Sequence, residues 1–130
     1  MKPETLRALI FDFDGTLADT ESAHRAAFND AFAEAGLDWH WDEPLYKQLL
    51  EVSGGKERIL HYWDQVRGDS GDIQVIDTGA LADTVQRIHD LKTAFYERRV
   101  QEGAVQLRPG VPHLIDSAFD AKLRLSLIHI

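Results

Sequence analysis

Two aspartates separated by one residue, Asp12 and Asp14, are the residues whose types and spacing most clearly indicate chemistry. Residues two apart in an extended strand point to the same side, so both carboxylates are expected near the strand's carboxyl end. Open α/β sheets bind their ligands at that end. Because neighbouring carboxylates repel each other, either one stays protonated or a cation neutralises the pair. Mg²⁺ suits such a pair, since it prefers hard oxygen ligands and keeps positions open for water or phosphate.

A pair of this kind can transfer a phosphoryl group. One carboxylate can attack phosphorus while the other handles the proton of the leaving group. Gly15 permits a sharp turn out of the strand, and Thr16 can offer its hydroxyl and N–H to phosphate oxygens. The alternative is a solvated Asp-x-Asp-Gly turn. The apolar run before the pair and the Thr-Leu after it make that alternative the weaker interpretation.

Two further segments carry cations. In residues 53–58, Ser-Gly-Gly-Lys-Glu-Arg, the glycines let backbone N–H groups approach an anion at a helix start, and Lys56 and Arg58 add positive charge. Taken alone, this segment is better explained as a glycine-rich turn followed by a charged helix face. Arg108, in the connector 107–111, could contact a phosphate, and a structural ion pair explains it at least as well.

The hydrophobic pattern places these residues on a frame of strand, four helices, helix and strand. Residues 6–13 form a short apolar run, which predicts a strand buried on both faces, as in a parallel sheet. Residues 122–130 predict a second strand, parallel to the first and joined to it by a helical excursion. We expect five helices between the strands. They run from residue 20 to Gly36, over 42–50 with Pro44 in the first turn, around Ile59 and Trp63, from Leu81 to about Gly103, and over 113–121. A loop is expected at 68–72. The predicted packing residues are Trp39, Trp41, Tyr62 and Trp63.

Composition excludes several classes of protein. The chain has 130 residues, 44% of them hydrophobic, a formal net charge of −8 and no cysteine. The acidic balance argues against binding to nucleic acid or to an anionic membrane. Disulfides, thiolate metal sites and cysteine nucleophiles are excluded. The apolar run 8–11 is too short to span a bilayer, and the mixed charges of residues 1–7 do not predict a secretory signal, so the expected location is cytoplasmic.

Residues 10–21, Ile-Phe-Asp-Phe-Asp-Gly-Thr-Leu-Ala-Asp-Thr-Glu, resemble the first motif of the haloacid dehalogenase (HAD) superfamily of phosphatases and phosphomutases. The helices after it are similar to the α-helical cap of subfamily I. The chain is most similar to the CbbY-like sugar-phosphate phosphatases and to β-phosphoglucomutase. The resemblance implies an α/β fold: a HAD-like Rossmannoid core, with only its first two strands present, and an inserted four-helix cap. The expected divisions are residues 1–19 for the core, 20–105 for the cap and 106–130 for the return to the core.

The resemblance also implies roles for individual residues. Asp12 would be the nucleophile that forms an aspartyl-phosphate, Asp14 would be the general acid and base, and both would hold Mg²⁺. The substrate-binding residues would be Thr16, His24, Gly55, Lys56 and Arg58. His24 would face the substrate or orient Asp14, and a solvated or capping role is an equally good interpretation. The implied function is a Mg²⁺-dependent phosphatase that hydrolyses a small phosphorylated sugar and is monomeric at full length. A β-phosphoglucomutase-like mutase is one alternative, and a non-catalytic helical binding module is another.

The resembled family needs three elements that this sequence does not supply. They are a Ser or Thr at the end of the second strand, a Lys that neutralises the phosphoryl group, and an acidic pair that completes the Mg²⁺ site. No Ser or Thr follows where the second strand should close, and residues 127–130 could be foreign to the natural continuation. We therefore expect a fragment of a protein of roughly 220–250 residues, inactive as a phosphatase on its own.

Overall fold

A computed structural model describes residues 5–69 and 78–128 and divides the chain into two compact units. Unit 1 comprises Met1–Glu21 and Gly103–Ile130, and unit 2 comprises Ser22–Glu102. In chain order the elements are β1 (Ala8–Asp12), α1 (Glu21–Glu34), α2 (Glu43–Leu49), α3 (Gly55–Asp69), a 3₁₀ turn (Thr78–Ala80), α4 (Leu81–Gln101), α5 (Val111–Asp120) and β2 (Arg124–Ile128). No helix in this part of the chain is long and apolar enough to cross a membrane.

Unit 1 contains a two-stranded parallel sheet and helix α5. The register runs from Ala8 opposite Arg124 to Asp12 opposite Ile128, which confirms the predicted parallel pairing of two strands. The expectation that β1 is buried on both faces is wrong for the described residues, because the side chain of Ile10 is 67% exposed. A two-stranded sheet has too few neighbouring side chains to cover either face.

Helix α5 begins two residues before its predicted start. It follows Gly110, whose φ of 85° lies in the left-handed region, and it carries a proline in its first turn. Ala118 is its one buried residue, whereas Phe119 is 76% exposed. Unit 1 therefore presents apolar side chains on both its sheet and its helix.

Unit 2 begins with α1, whose apolar residues recur at helical spacing. The residues of this helix that are buried are Ala23, Ala27, Phe28, Ala31 and Phe32, as the pattern predicts. The helix ends where Gly36 takes a φ of 77°. The Gly36 N–H donates to the Ala33 carbonyl and the Leu37 N–H to the Phe32 carbonyl. This is a Schellman motif, so the predicted C′ glycine is confirmed.

The other helices of unit 2 follow the expected boundaries closely. Asp42 caps α2 by accepting a hydrogen bond from the Leu45 N–H at 2.9 Å, and Pro44 lies in its first turn. Helix α3 extends to Asp69, so the loop predicted at 68–72 starts later, and residues 70–72 lie outside the described part of the chain. Helix α4 ends at Gln101, just before Gly103, as predicted.

Aromatic side chains fill the core of unit 2. Trp41 is fully buried, and its ring centroid lies 4.8 Å from those of both Phe28 and Phe32. Trp39 and Tyr62 pack edge to face at 5.2 Å. The remaining members of this core are Ala31, Tyr46, Leu49, Ile59, Trp63, Val85 and Ile88. These contacts confirm the packing role predicted for the tryptophans and Tyr62.

Candidate active site

The loop after β1 is a tight turn built around one carbonyl group. The Phe13 carbonyl accepts hydrogen bonds from the N–H groups of Thr16, Leu17 and Ala18, at 3.3, 3.1 and 3.4 Å. Gly15 takes a φ of 75°, and its N–H donates to the Ala18 carbonyl at 2.9 Å. An L-residue with a side chain rarely adopts that φ, so the glycine is what allows the chain to leave the strand this sharply.

The two aspartates of this loop each accept a hydrogen bond from a threonine. Asp12 is the last residue of β1, and its Oδ2 accepts from the Thr16 hydroxyl at 3.4 Å. Asp14 Oδ1 accepts from the hydroxyl of the fully buried Thr20 at 3.1 Å. Because β1 ends at Asp12, the two-residue alternation of a strand does not extend to Asp14. The turn and Thr20 position Asp14 instead.

One carboxylate oxygen of this pair has no hydrogen-bond donor among the residues that the structure describes. Asp12 Oδ1 is buried and receives no hydrogen bond from the described residues. A buried carboxylate oxygen normally has a donor or a cation beside it, because leaving it unsatisfied is costly. This orphaned oxygen fits the binding of a hard cation such as Mg²⁺. Within residues 5–69 and 78–128, no group of three or more acidic or histidine side chains is placed to hold a metal ion.

Arg108, which is distant from this loop in the sequence, fixes the loop through two hydrogen bonds. Its backbone N–H donates to the Leu17 carbonyl at 2.8 Å, and its Nη2 donates to the Gly15 carbonyl at 2.9 Å. The sequence left open a phosphate contact or an ion pair for this residue. The structure assigns these two donors to backbone carbonyls of the loop that carries both aspartates.

In unit 2, the two glycines at the start of α3 lie where an added side chain would meet close neighbours. Gly54 has a φ of 91°, and a Cβ there would overlap the Glu57 carboxylate. A Cβ on Gly55 would stand 3.1 Å from Cδ2 of His89 and 3.5 Å from Cζ of Phe28. The close approach of α1, α3 and α4 is therefore sufficient to explain a glycine at position 55. The anion-binding role predicted for Gly55 stays a prediction.

The guanidinium of Arg58 ties α3 to the end of α2. Its Nε donates to the Leu49 carbonyl and its Nη2 to the Val52 carbonyl, both at 3.0 Å. Its central carbon lies 5.6 Å from the centroid of the Tyr46 ring. These contacts give Arg58 a structural role, and the substrate contact predicted for it stays a prediction.

His24 lies in a cluster with two residues of α4 that the sequence analysis did not single out. Its ring stacks on that of Tyr96, with centroids 4.0 Å apart and planes within 2°. Its Nδ1 is 2.9 Å from Nζ of Lys92. An ammonium group only donates, so Nδ1 is the acceptor and the ring proton is on Nε2. A signal was available in the sequence, because Lys92 interrupts the apolar stripe between Ile88 and Phe95.

The middle of α4 also carries His89, whose ring is subject to the positive charges of two lysines. Burial is the main cause that lowers the pKa of His89, and the positive charges of Lys92 and Lys56 lower it further. Asp90 and Glu57 oppose this shift without reversing it. Desolvation and the two positive charges therefore both favour the neutral form of His89.

Comparison with known proteins gives consistent results over nearly the whole chain. Residues 6–128 match the model of the haloacid dehalogenase-like hydrolases. The plasmid-encoded CbbY protein of Cupriavidus necator is 52% identical over 122 residues, which cover 94% of this chain and 46% of that protein. The crystal structure of CbbY from Rhodobacter sphaeroides in complex with phosphate has a TM-score of 0.73 and 42% identity, and the match covers 96% of this chain and 51% of that one.

An aspartate-to-asparagine mutant of the R. sphaeroides protein, solved in complex with xylulose-(1,5)bisphosphate, matches with a TM-score of 0.74 and 39% identity. This match likewise covers 96% of this chain and 51% of the other. The chain spans about half the length of the curated relatives that it matches.

Proposed function

Because this chain belongs to the haloacid dehalogenase-like hydrolases, we propose that it contributes to a Mg²⁺-dependent phosphatase acting on a small phosphorylated sugar. The observation that carries the proposal is the carboxylate of Asp12, which has one oxygen held by Thr16 and the other buried without a donor among the described residues. The R. sphaeroides relative that binds xylulose-(1,5)bisphosphate supports a sugar bisphosphate as the substrate class.

In the proposed reaction, a carboxylate oxygen of Asp12 attacks the phosphorus atom and the bond from phosphorus to the sugar oxygen breaks. Asp14 gives a proton to the departing sugar oxygen, which leaves an aspartyl-phosphate on Asp12. Asp14 then takes a proton from water as that water attacks the phosphorus, and the bond from phosphorus to the Asp12 oxygen breaks. Inorganic phosphate leaves, and both carboxyl groups return to their starting protonation states.

The contacts of the two aspartates support this division of labour. Oδ1 of Asp12 has lone pairs that no donor among the described residues uses, so it is available to a cation or to phosphorus. The hydroxyl of Thr16 donates to Oδ2 of Asp12, and the hydroxyl of Thr20 donates to Oδ1 of Asp14. Arg108 fixes the loop backbone. Asp12 and Asp14 would hold Mg²⁺, which would neutralise their repulsion and stabilise the charge that develops on the transferred group.

Unit 2 is proposed to supply substrate specificity. Thr16 would bind the phosphoryl group, and His24, Gly55, Lys56 and Arg58 would contact the substrate, as expected from sequence. Of the two cations in this set, Lys56 is the better candidate for this task, because Arg58 already donates to two backbone carbonyls. The division into core and cap at residues 19/20 and 105/106, the monomeric state and the cytoplasmic location stay predictions.

A chimera tests the proposal. Residues 6–128 would replace the matching segment of the C. necator protein, which supplies the rest of the polypeptide. We expect Mg²⁺-dependent release of phosphate from xylulose-(1,5)bisphosphate, and none from the chimera with Asp12→Asn.

Three other results would contradict the proposal. Equal turnover by the parent chimera and its Asp12→Asn variant would refute the role of Asp12. Conversion of β-glucose 1-phosphate to the 6-phosphate without phosphate release would favour the mutase alternative. A folded chimera that binds sugar phosphates without any turnover would favour the binding module.

A further inference from the structure

We propose that Tyr96 is a positioning residue, whose ring fixes the plane of the His24 imidazole and holds the Lys92 ammonium that selects the tautomer of that imidazole. His24 then presents Nε2 as a fixed N–H donor. The inference deepens the proposed function, in which His24 contacts the substrate or orients Asp14, and it rests on that function only for the identity of the acceptor. The state of the ring can be measured without turnover.

Two pairs of side chains face each other across α1 and α4. His24 and Phe28 lie one turn apart on α1, and Lys92 and Tyr96 lie one turn apart on α4. The two imidazole and phenol rings stack, the ammonium group contacts the imidazole, and the same ammonium group lies over the ring of Phe28. Each pair therefore holds the other in place.

The stack on Tyr96 fixes the plane of the imidazole. The two ring centroids are 4.0 Å apart and the planes agree within 2°. Rings in contact over a whole face cannot tilt without losing that contact. A rotation of the His24 ring by half a turn about its Cβ–Cγ bond would keep the plane, however, and would exchange Nδ1 with Cδ2. The stack alone therefore leaves two orientations of the imidazole open.

The ammonium group of Lys92 selects one of these orientations. Its Nζ is 2.9 Å from Nδ1 of His24. In the rotated ring, a C–H group would take the place of Nδ1 and could not accept the hydrogen bond. In the other tautomer, an N–H at Nδ1 would point at an ammonium group, which has three donors and no acceptor. The contact therefore fixes both the orientation of the ring and the proton on Nε2.

Tyr96 also determines where that ammonium group lies. Nζ of Lys92 is 5.1 Å from the centroid of the Tyr96 ring and 5.0 Å from that of the Phe28 ring. Both distances fall within the range of about 6 Å over which an aromatic face attracts a cation. Tyr96 therefore acts on His24 twice, directly through the stack and indirectly through Lys92. Both contacts are made by its aromatic ring, and neither uses the phenolic hydroxyl.

The selected tautomer suits the proposed function. With the proton on Nε2, His24 donates at the ring nitrogen that Lys92 does not occupy. The partners predicted for His24 are a phosphorylated sugar and the carboxylate of Asp14, and both present oxygen atoms that accept hydrogen bonds. The opposite tautomer would present a lone pair to those oxygens and would repel them.

NMR of the isotopically labelled 130-residue chain reports the tautomer of each imidazole at about pH 8, the upper end of the range in which histidine titrates. A His24→Gln variant assigns the His24 signals by their disappearance. We expect Nδ1 of His24 to be unprotonated in the parent chain and in Tyr96→Phe, which keeps the aromatic ring. In Tyr96→Leu we expect an average of both tautomers, as in a freely rotating side chain.

Two more variants separate positioning from support of the fold. Phe95→Leu removes a half-buried ring from the neighbouring position of α4, so it is the matched control and should leave the His24 signals unchanged. Lys92→Met removes the ammonium group and keeps an unbranched side chain. We expect mixed tautomers in this variant, with the ring signals still shifted by the stack on Tyr96. Lys92→Met keeps the test decisive if Tyr96→Leu does not fold.

The chimera gives the functional readout. Tyr96→Leu should lower kcat for phosphate release from xylulose-(1,5)bisphosphate by about 10- to 100-fold, the usual effect of misplacing a group at a reaction centre. Tyr96→Phe should restore kcat to within about twofold of the parent chimera, because the ring that makes both contacts is retained. Phe95→Leu should stay within the same limit.

Three results would overturn the inference. One is a proton on Nδ1 of His24 in the parent chain, and another is a tautomer that Tyr96→Leu and Lys92→Met leave unchanged. The third is an equal loss of kcat in Tyr96→Leu and Phe95→Leu. Asp12→Asn should abolish turnover by the chimera without altering the His24 signals of the 130-residue chain. A failure of the proposed function therefore shows in the kinetics of Asp12→Asn, and a failure of the positioning role shows in the NMR spectra.

Discussion

Removal of the Arg58 guanidinium tests whether this residue supports the fold or binds the substrate. In Arg58→Ala, the carbonyls of Leu49 and Val52 lose their 3.0 Å donors. The Tyr46 ring also loses the cation that lies 5.6 Å from its centroid. The structure therefore predicts a loss of stability in unit 2 that does not depend on any ligand.

The size of the loss follows from these contacts. A hydrogen bond from a charged donor contributes about 1.5–3 kcal/mol, and the lower end applies here because Arg58 and Val52 are only half-buried. The cation–π contact adds about 0.5–1 kcal/mol. Partial hydration of the freed carbonyls offsets some of this, so we expect about 2–3 kcal/mol. For a domain the size of unit 2, that equals a fall in Tm of about 10–20 °C.

Urea unfolding of the 130-residue chain, followed by tryptophan fluorescence, measures the effect. Lys56→Ala is the matched control, since it removes a half-buried cation from the same helix two residues earlier. We expect its free energy of unfolding to stay within about 0.5 kcal/mol of the parent chain. Arg58→Lys should lose about half as much stability as Arg58→Ala, because one ammonium group cannot reproduce the two-donor geometry of the guanidinium.

One result would refute the structural reasoning. If Arg58→Ala and Lys56→Ala had the same free energy of unfolding within error, the two carbonyl contacts would not stabilise unit 2. A selective loss of sugar-phosphate turnover by the Arg58→Ala chimera would then restore the substrate role predicted from sequence.

Four further substitutions give separate expectations. In the chimera, Asp12→Asn should remove phosphate release while leaving the urea midpoint unchanged, because the amide is isosteric but a poor nucleophile; activity above a few per cent contradicts this. Asp14→Asn should slow sugar-phosphate hydrolysis by ~10²–10⁴-fold and p-nitrophenyl phosphate hydrolysis by less, since p-nitrophenolate leaves without a proton; equal losses would argue against an acid role. Lys56→Ala should reduce kcat/KM for the sugar bisphosphate more than for p-nitrophenyl phosphate, and equal reductions would indicate support of the fold. Gly55→Ala should cost about 1–3 kcal/mol in urea unfolding because its Cβ meets the His89 ring, and an unchanged midpoint would mean that the helices separate freely.

Much of unit 2 could be predicted because local signals and tertiary packing agree. The apolar spacing from Ala23 to Phe32 matches the buried face of α1, and Gly36 ends that helix in the conformation that glycine favours. Asp42 followed by Pro44 similarly marks the start of α2. In each case the information lies within a few residues of the element that it specifies.

Contacts between distant segments were harder to predict. Arg58 looked like a free cation beside a glycine-rich turn, and only the position of the α2 carbonyls shows what its guanidinium binds. Lys92 lies within an apolar stripe of α4, and its partner His24 is on α1, so the sequence alone does not pair them. The exposure of β1 could not be anticipated either, because an apolar run does not reveal how many neighbours will cover it.

A backbone bridge between Ala18 and Leu107 joins the two ends of a long excursion of the chain. The hydrogen bonds from Arg108 to the carbonyls of Leu17 and Gly15 reinforce this closure. The entropic cost of closing such a loop grows only with the logarithm of its length, by about 0.6 kcal/mol for each doubling. All five residues of this closure belong to unit 1. A change in the length of the excursion therefore alters the entropic cost of this closure only slightly, and the contacts that hold the turn with the two aspartates lie outside the excursion.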